Sequence, residues 1–180
     1  GLSPLQTDVL HALSRKEARF CLTGCAALTF YAQELLPSLR AALGTEALSL
    51  WMPSGSDSSS ALQALQEAAA ACGGKARVVQ AEPGCTTVRV DRDAELCLVR
   101  LLVAAHPSGP STQQQHGALL VDAPPALAAH SLVAMWKHRS GAELLVLKAA
   151  IELGVSSQEA ICDALDLEPA ADLPGLHAAL

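Results

Sequence analysis

Aromatic side chains are scarce in this chain, at 3% of its 180 residues, although 51% of the residues are hydrophobic. A core can therefore form, but aliphatic side chains and alanine must fill it. Lysine is scarce too, because it supplies four of the 12 basic residues. Abundant alanine with few lysines resembles proteins from GC-rich, bacterial genomes.

The sequence also lacks the cysteine and histidine spacings that are typical of disulfide-bonded proteins and of metal sites. Its six cysteines form no CxxC and no repeating pattern, and the chain is too large and apolar to need disulfides. Its six histidines match no zinc spacing. No signal peptide and no apolar run of membrane-spanning length is present. We expect a soluble, cytoplasmic protein with reduced thiols, no metal site, no cofactor and no membrane partner.

Clustered positive charge is missing as well. The net charge is −6, and the one tight basic group, Arg15, Lys16 and Arg19, is interrupted by Glu17. Duplex-binding faces usually carry clustered Lys and Arg. The composition therefore disfavours an extended nucleic acid as a partner, while binding of one small anion stays open.

Hydrophobic periodicity and turn residues predict an α/β (α+β) protein. Residues 1–122 are expected to form a mixed sheet of about four or five strands flanked by helices, and residues 123–180 a helical C-terminal part. Residues 104–117 are predicted to be a flexible polar connection. The predicted extended segments are residues 19–23, 46–52, 75–81, 85–92 and 95–103, with 118–123 as a short strand or extended entry.

Several short motifs follow one another along the chain. A leucine-rich helix "LSPLQTDVLHAL" precedes "LTGCAAL" at residues 22–28, in which a glycine turn joins a strand to a helix. "VDAPPALAAHSL" (121–132) and "GAELLVLKAAIELGVSSQEA" (141–160) come later. In this order the motifs resemble the AbiEii/AbiGii-type nucleotidyltransferase toxin family over nearly the whole chain.

The resemblance implies a polymerase-β-like nucleotidyltransferase fold. It also implies transfer of a nucleoside monophosphate from a nucleoside triphosphate to an acceptor, often RNA. The glycine turn of such enzymes cradles the triphosphate through backbone N–H groups. An Asp-x-Asp strand and a third acid on a neighbouring strand hold Mg²⁺, which demands oxygen ligands.

The chain departs from that pattern at the residues that carry the chemistry. Thr23 and Gly24 remain in the turn, but Cys25 replaces its second glycine. Ala47 and Ser49 occupy the Asp-x-Asp positions. Arg100 stands where the third acid is expected, and a cation repels Mg²⁺. We predict that Cys25 packs as a small hydrophobe and that none of these positions is catalytic.

Two further motifs are altered. The Asn-Lys pair that the family carries after the "VDPP"-like start reads His130-Ser131. The later "RDLVDL"-like motif reads "ELLVL" at residues 143–147, where only Glu143 keeps a charge. Three roles are open to Arg100: pairing with Glu46, holding a phosphate together with Thr23 and Gly24, or standing as an exposed strand residue. Lys137, His138 and Arg139 are expected to cap a helix C-terminus rather than form an anion site.

The first hypothesis is therefore a catalytically inactive nucleotidyltransferase-like protein that binds another protein, as a subunit or scaffold of a homo- or hetero-oligomer. One alternative is an active nucleotidyltransferase that uses other acids, with Glu46, Asp91, Asp93 and Glu95 as candidates. Another is a nucleotide or anion sensor without turnover. The helix predicted at residues 141–153 is apolar around nearly its whole circumference, so we expect it in the core, with a partner-binding patch as the other reading.

Overall fold

The computed structural model describes residues 1–17, 19–44, 47–52, 57–103, 113–138 and 141–180. A short turn of 3-10 helix at Thr29–Tyr31 follows α2. Within these ranges the helices are α1 (Pro4–Ser14), α2 (Gly24–Leu28), α3 (Pro37–Ala42), α4 (Ser58–Ala71), α5 (Pro124–His138), α6 (Gly141–Glu152), α7 (Ser157–Leu167) and α8 (Leu173–Ala179). The strands are β1 (Cys21–Thr23), β2 (Ala47–Trp51), β3 (Lys75–Glu82), β4 (Cys85–Arg92), β5 (Glu95–Leu102), β6 (Gln113–His116) and β7 (Leu119–Asp122).

The strands form one mixed sheet in the order β3-β4-β5-β2-β1-β7-β6. β2 pairs parallel to β5 and β1 parallel to β7, whereas the other neighbours are antiparallel. The fold is thus α+β, but the expected sheet of about four or five strands is wrong, because the sheet has seven.

β6 accounts for part of that error. Its sequence "QQQH" has no apolar alternation, and it lies within the segment predicted to be a polar connection. Backbone pairing with β7 nevertheless makes Gln113–His116 a strand at the edge of the sheet. An edge strand can carry polar side chains on both faces, so its side chains give no periodic signal.

One face of the sheet, here called the core face, packs on α1 and α4. Leu22, Leu50 and Leu101 stand opposite one another on β1, β2 and β5, and they belong to the same buried cluster as the apolar sides of both helices. Each helix begins at a capped N-terminus: Ser3 with Gln6 forms a capping box on α1, and Asp57 caps α4.

The C-terminal helices pack on the other side of the molecule, around α6. Val146 and Ala149 of α6 join the main core cluster, while Leu147 and Ala150 join a second cluster with α5, α7 and α8. This double packing explains why α6 is apolar on nearly all sides, and the expectation that it lies in the core is confirmed. None of the helices in the described ranges is both long and apolar enough to cross a membrane.

Candidate functional site

The turn between β1 and α2 has the backbone conformation that its glycine suggests. Gly24 has φ +67°, in the left-handed region. Thr23, just before it, is buried. A Cβ placed on Gly24 would lie 4.0 Å from the Ser49 side chain, so the turn faces the middle of β2.

The sheet register brings three of the predicted site positions into one row. Thr23 of β1 stands opposite Ser49 of β2, and Ser49 stands opposite Arg100 of β5. Directly opposed strand residues point to the same face. Ala47 lies on that face two residues from Ser49, opposite Leu98. The positions Thr23, Gly24, Ala47, Ser49 and Arg100 therefore do converge.

A cleft of about 580 Å³ opens beside this row. Strand residues Thr23, Ser49 and Trp51 form one wall. Residues of α5 and α6 form the opposite wall, among them His130, Ser131, Lys137 and Glu143, and Glu168 also lines the cleft. Ligands of drug size occupy clefts of this volume.

The two carboxylates that line the cleft each face compensating groups. Burial raises the pKa of Glu143, while a hydrogen bond with the Ser131 side chain and the positive charge of Arg100 oppose that rise. Glu168 accepts a hydrogen bond from Lys137 at 2.8 Å. The cleft thus holds internally balanced charges rather than a free pair of acids.

Lys137 and His138 lie at the C-terminal end of α5, as expected, and Arg139 lies outside the described residues. The ion pair with Glu168 gives Lys137 a second role that the sequence did not reveal, since the two residues are 31 positions apart. Glu46, the predicted partner of Arg100, also lies outside the described residues. Glu143 lies within electrostatic reach of Arg100.

An aromatic and acidic network connects two residues that line the cleft, Trp51 and His130, with the buried Asp122. The Trp51 ring lies 4.5 Å from the His130 ring, and Trp51 Nε1 donates a hydrogen bond to Asp122 Oδ2 at 2.9 Å. Asp122 is fully buried, and its backbone carbonyl accepts a hydrogen bond from the Tyr31 hydroxyl at 3.0 Å. Burial, with a smaller effect of Asp122, raises the pKa of Tyr31 to about 12. Sequence reasoning missed Asp122, whose one signal was an acid ending an apolar strand.

The structure assigns Cys25 to packing. Its side chain is half-buried against the main core cluster. Burial and the nearby Glu143 raise the pKa of its thiol, which keeps it protonated at neutral pH. A reactive thiolate needs the opposite shift.

The other candidate acids lie at the far hairpin. Asp91 contacts Arg89 at 2.7 Å and Arg77 at 3.8 Å, and Glu95 contacts Arg92 at 2.6 Å. Asp91 stands opposite Leu96, four residues along β5 from Arg100, which is about 13 Å at strand spacing. Across the described part of the chain, no group of three or more His, Cys, Asp or Glu side chains could hold a metal ion.

Comparison with known proteins gives a fold but no family. No family model and no curated protein matches the chain. The chain is similar to a solved structure, JHP933 from Helicobacter pylori, with a TM-score of 0.55 and 12% sequence identity. The similarity covers 99% of this chain and 90% of the Helicobacter protein. At this identity it establishes the shared architecture alone.

Proposed function

We propose that this chain is a non-catalytic relative of the nucleotidyltransferases that its motifs resemble, and that it acts by binding another protein. The observation that carries this proposal is the row Thr23–Ser49–Arg100. The resemblance places metal-binding acids at Ala47, Ser49 and Arg100. Ala47, Ser49 and Arg100 lie on one face of the sheet beside the glycine turn, and they offer a methyl group, a hydroxyl and a cation in place of three acids.

Electrostatics supports the proposal. Mg²⁺ binds several oxygen ligands, carboxylates foremost, and two-metal transfer needs a cluster of them. Of the described acids that line the cleft, Glu143 lies within electrostatic reach of Arg100, and Glu168 pairs with Lys137. Mg²⁺ would therefore meet one buried acid beside a fixed positive charge.

Titration calorimetry with Mg²⁺ and the four nucleoside triphosphates tests the proposal, together with transfer of radiolabelled nucleotide to RNA and protein acceptors. We expect no transfer above background and no Mg²⁺-dependent binding. A variant that restores the acids, Ala47→Asp/Ser49→Asp/Arg100→Asp, should gain Mg²⁺ binding. Transfer of label by the unmodified chain would establish the active alternative, in which other acids hold the metal.

A second candidate is metal-free binding of a nucleotide or other phosphate by Thr23, Gly24 and Arg100. The left-handed turn at Gly24 and the position of Arg100 in the same row favour it, although Glu143 competes for the Arg100 charge. Equilibrium dialysis with ATP in EDTA measures it. Loss of binding in Arg100→Ala but not in Arg77→Ala would support this candidate, and equal binding in both variants would count against it.

A further inference from the structure

Over most of strands β3, β4 and β5, no helix of the described residues packs on one face of the sheet. The helices that pack on these strands, α1 and α4, lie on the core face, where Val88, Val90 and Val99 are fully buried. Arg92 confirms this orientation, because its side chain reaches Asp8 of α1 and the Cys72 carbonyl after α4. In the described ranges, the C-terminal helices cover the opposite face only over the other half of the sheet and the end of β5.

The uncovered region is here called the open face. The pairing of β3, β4 and β5 shows which of its residues lie side by side. Arg77, Arg89 and Leu98 form one row across the three strands. Thr87 and Arg100 form the next row toward the cleft. The residues that define the open face are Lys75, Arg77, Arg89, Asp91, Leu96, Leu98 and Arg100.

The open face is cationic on an acidic protein. It carries four of the 12 basic residues of a chain whose net charge is −6. Asp91 is shared between Arg77 and Arg89, so one carboxylate faces two guanidinium groups. The Arg77 side chain is 65% exposed. Glu82, on the same face toward the cleft, and Glu143, near Arg100, offset part of this charge. Positive charge stays in excess around Arg77 and Arg89, where an acidic ligand would be attracted.

Apolar side chains lie among these charges. Leu96 is 50% exposed, and Leu98 is half-buried beside it. Arginine combined with large apolar groups is typical of protein interfaces. The open face has no aromatic side chain on which a base could stack, as single-stranded nucleic acid requires.

The dimensions of the open face fit one helix. Three strands span about 10 Å across, and eight residues of strand span about 26 Å. An α-helix is about 10–12 Å in diameter and needs about 17 residues to reach 26 Å. Over the other strands of the sheet, the protein's own C-terminal helices pack on this same face.

We propose that the open face binds an acidic amphipathic helix of a partner protein, whose apolar side chains cover Leu96 and Leu98 while its carboxylates meet Arg77 and Arg89. This inference rests on the proposed binding function and names the partner's chemistry. A second copy of the chain fits less well. Pairing through two open faces sets arginine against arginine, and the apolar side of the acidic helix α7 is already buried within its own molecule.

The probe is a fluorescein-labelled helical peptide of about 18 residues with leucines on one side and glutamates on the other. Its matched control replaces every glutamate with lysine. Fluorescence anisotropy with the full chain should show binding of the acidic peptide only, weakened by added salt. Arg77→Glu/Arg89→Glu should weaken binding by about tenfold or more. Leu96→Ser should weaken it by a smaller factor.

The control variant Arg19→Glu/Lys148→Glu makes the same change in net charge away from the open face, and it should bind as the unmodified chain does. Equal loss in both double variants, or no binding of the acidic peptide, would overturn the proposal. Two other results would also replace it: RNA binding that depends on Arg77 and Arg89, and self-association that these substitutions abolish, seen by sedimentation. None of these variants touches the cleft, so the nucleotide-transfer assays remain an independent measurement.

Discussion

The Glu143 carboxyl group lies where burial and charge act in opposite directions. Burial is the larger effect, so its pKa is raised in the folded protein despite Ser131 and Arg100. A raised folded-state pKa means that the folded chain holds the proton more tightly than the unfolded chain does. Glu143 therefore favours folding below the ordinary carboxyl pKa and opposes it as the pH rises through the raised value.

Glu143→Gln should accordingly stabilise the protein at neutral pH. The gain should vanish in acid below the ordinary pKa of a glutamate, because both forms of the side chain are then uncharged. Urea unfolding of the two proteins across this pH range measures the difference. Glu34→Gln, which removes an exposed carboxylate, serves as the control. A destabilised Glu143→Gln variant at neutral pH would mean that the attraction to Arg100 outweighs burial.

Gly24 permits a second prediction about a single residue. A Cβ at this position meets the Ser49 side chain only at an ordinary 4.0 Å, so space is not the obstacle. The obstacle is the left-handed backbone conformation, which an alanine adopts only at a cost. Gly24→Ala should therefore lower the free energy of unfolding by about 1 kcal/mol. Gly44→Ala, where nothing lies within 4 Å of the added Cβ, should change stability by less than about 0.5 kcal/mol. Equal costs at both sites would contradict this account of the turn.

The sequence could predict those features of the site that depend on neighbouring residues, but not those that depend on contacts between distant residues. The turn at Gly24 could be predicted because a strand, a glycine and a helix are adjacent in sequence, whereas Ser49 and Arg100 were chosen through the family resemblance alone. The roles of Glu168 and Asp122 could not be predicted, because their partners Lys137 and Trp51 lie 31 and 71 positions away in the sequence. Nothing local marks such pairs.

Among the strands, β5 could be predicted from its own side chains, whereas β6 could not. β5 consists largely of apolar side chains, and this predicts a strand; in the structure, buried and more exposed residues alternate along it. β6 exists through backbone pairing with β7, which no side-chain period records. The predicted sheet was therefore too small, although five of its strands were placed along the chain.

α6 links the two core clusters, and this position gives a prediction with an internal control. Leu147 is 1% exposed and belongs to the second cluster, so Leu147→Ala should cost about 2–5 kcal/mol. Ile151 lies one turn later and is 38% exposed, so Ile151→Ala should cost less than about 1 kcal/mol. Chemical denaturation of both variants measures the contrast. A costly Ile151→Ala would indicate that a partner or another copy covers this end of the helix.

At the scale of the whole molecule, the two parts that the sequence suggests share one core. The main cluster takes Leu22 and Ala26 from the segment before residue 123, and Leu127, Val146 and Ala149 from the helices after it. Residues from both parts also line the cleft, where Trp51 contacts His130. Separating the chain after Asp122 would therefore expose apolar surface that no other described element covers.

A fragment of residues 1–122 should consequently lack a cooperative thermal transition and should bind a dye for exposed apolar surface, such as ANS. The full chain, under the same conditions, should unfold in one transition. Adding residues 123–180 as a separate peptide should restore part of the cooperativity, because α6, which carries Val146 and Ala149, then packs again on α2. A fragment that unfolds cooperatively by itself would show that residues 1–122 are an independent domain and that the C-terminal helices dock on a finished core.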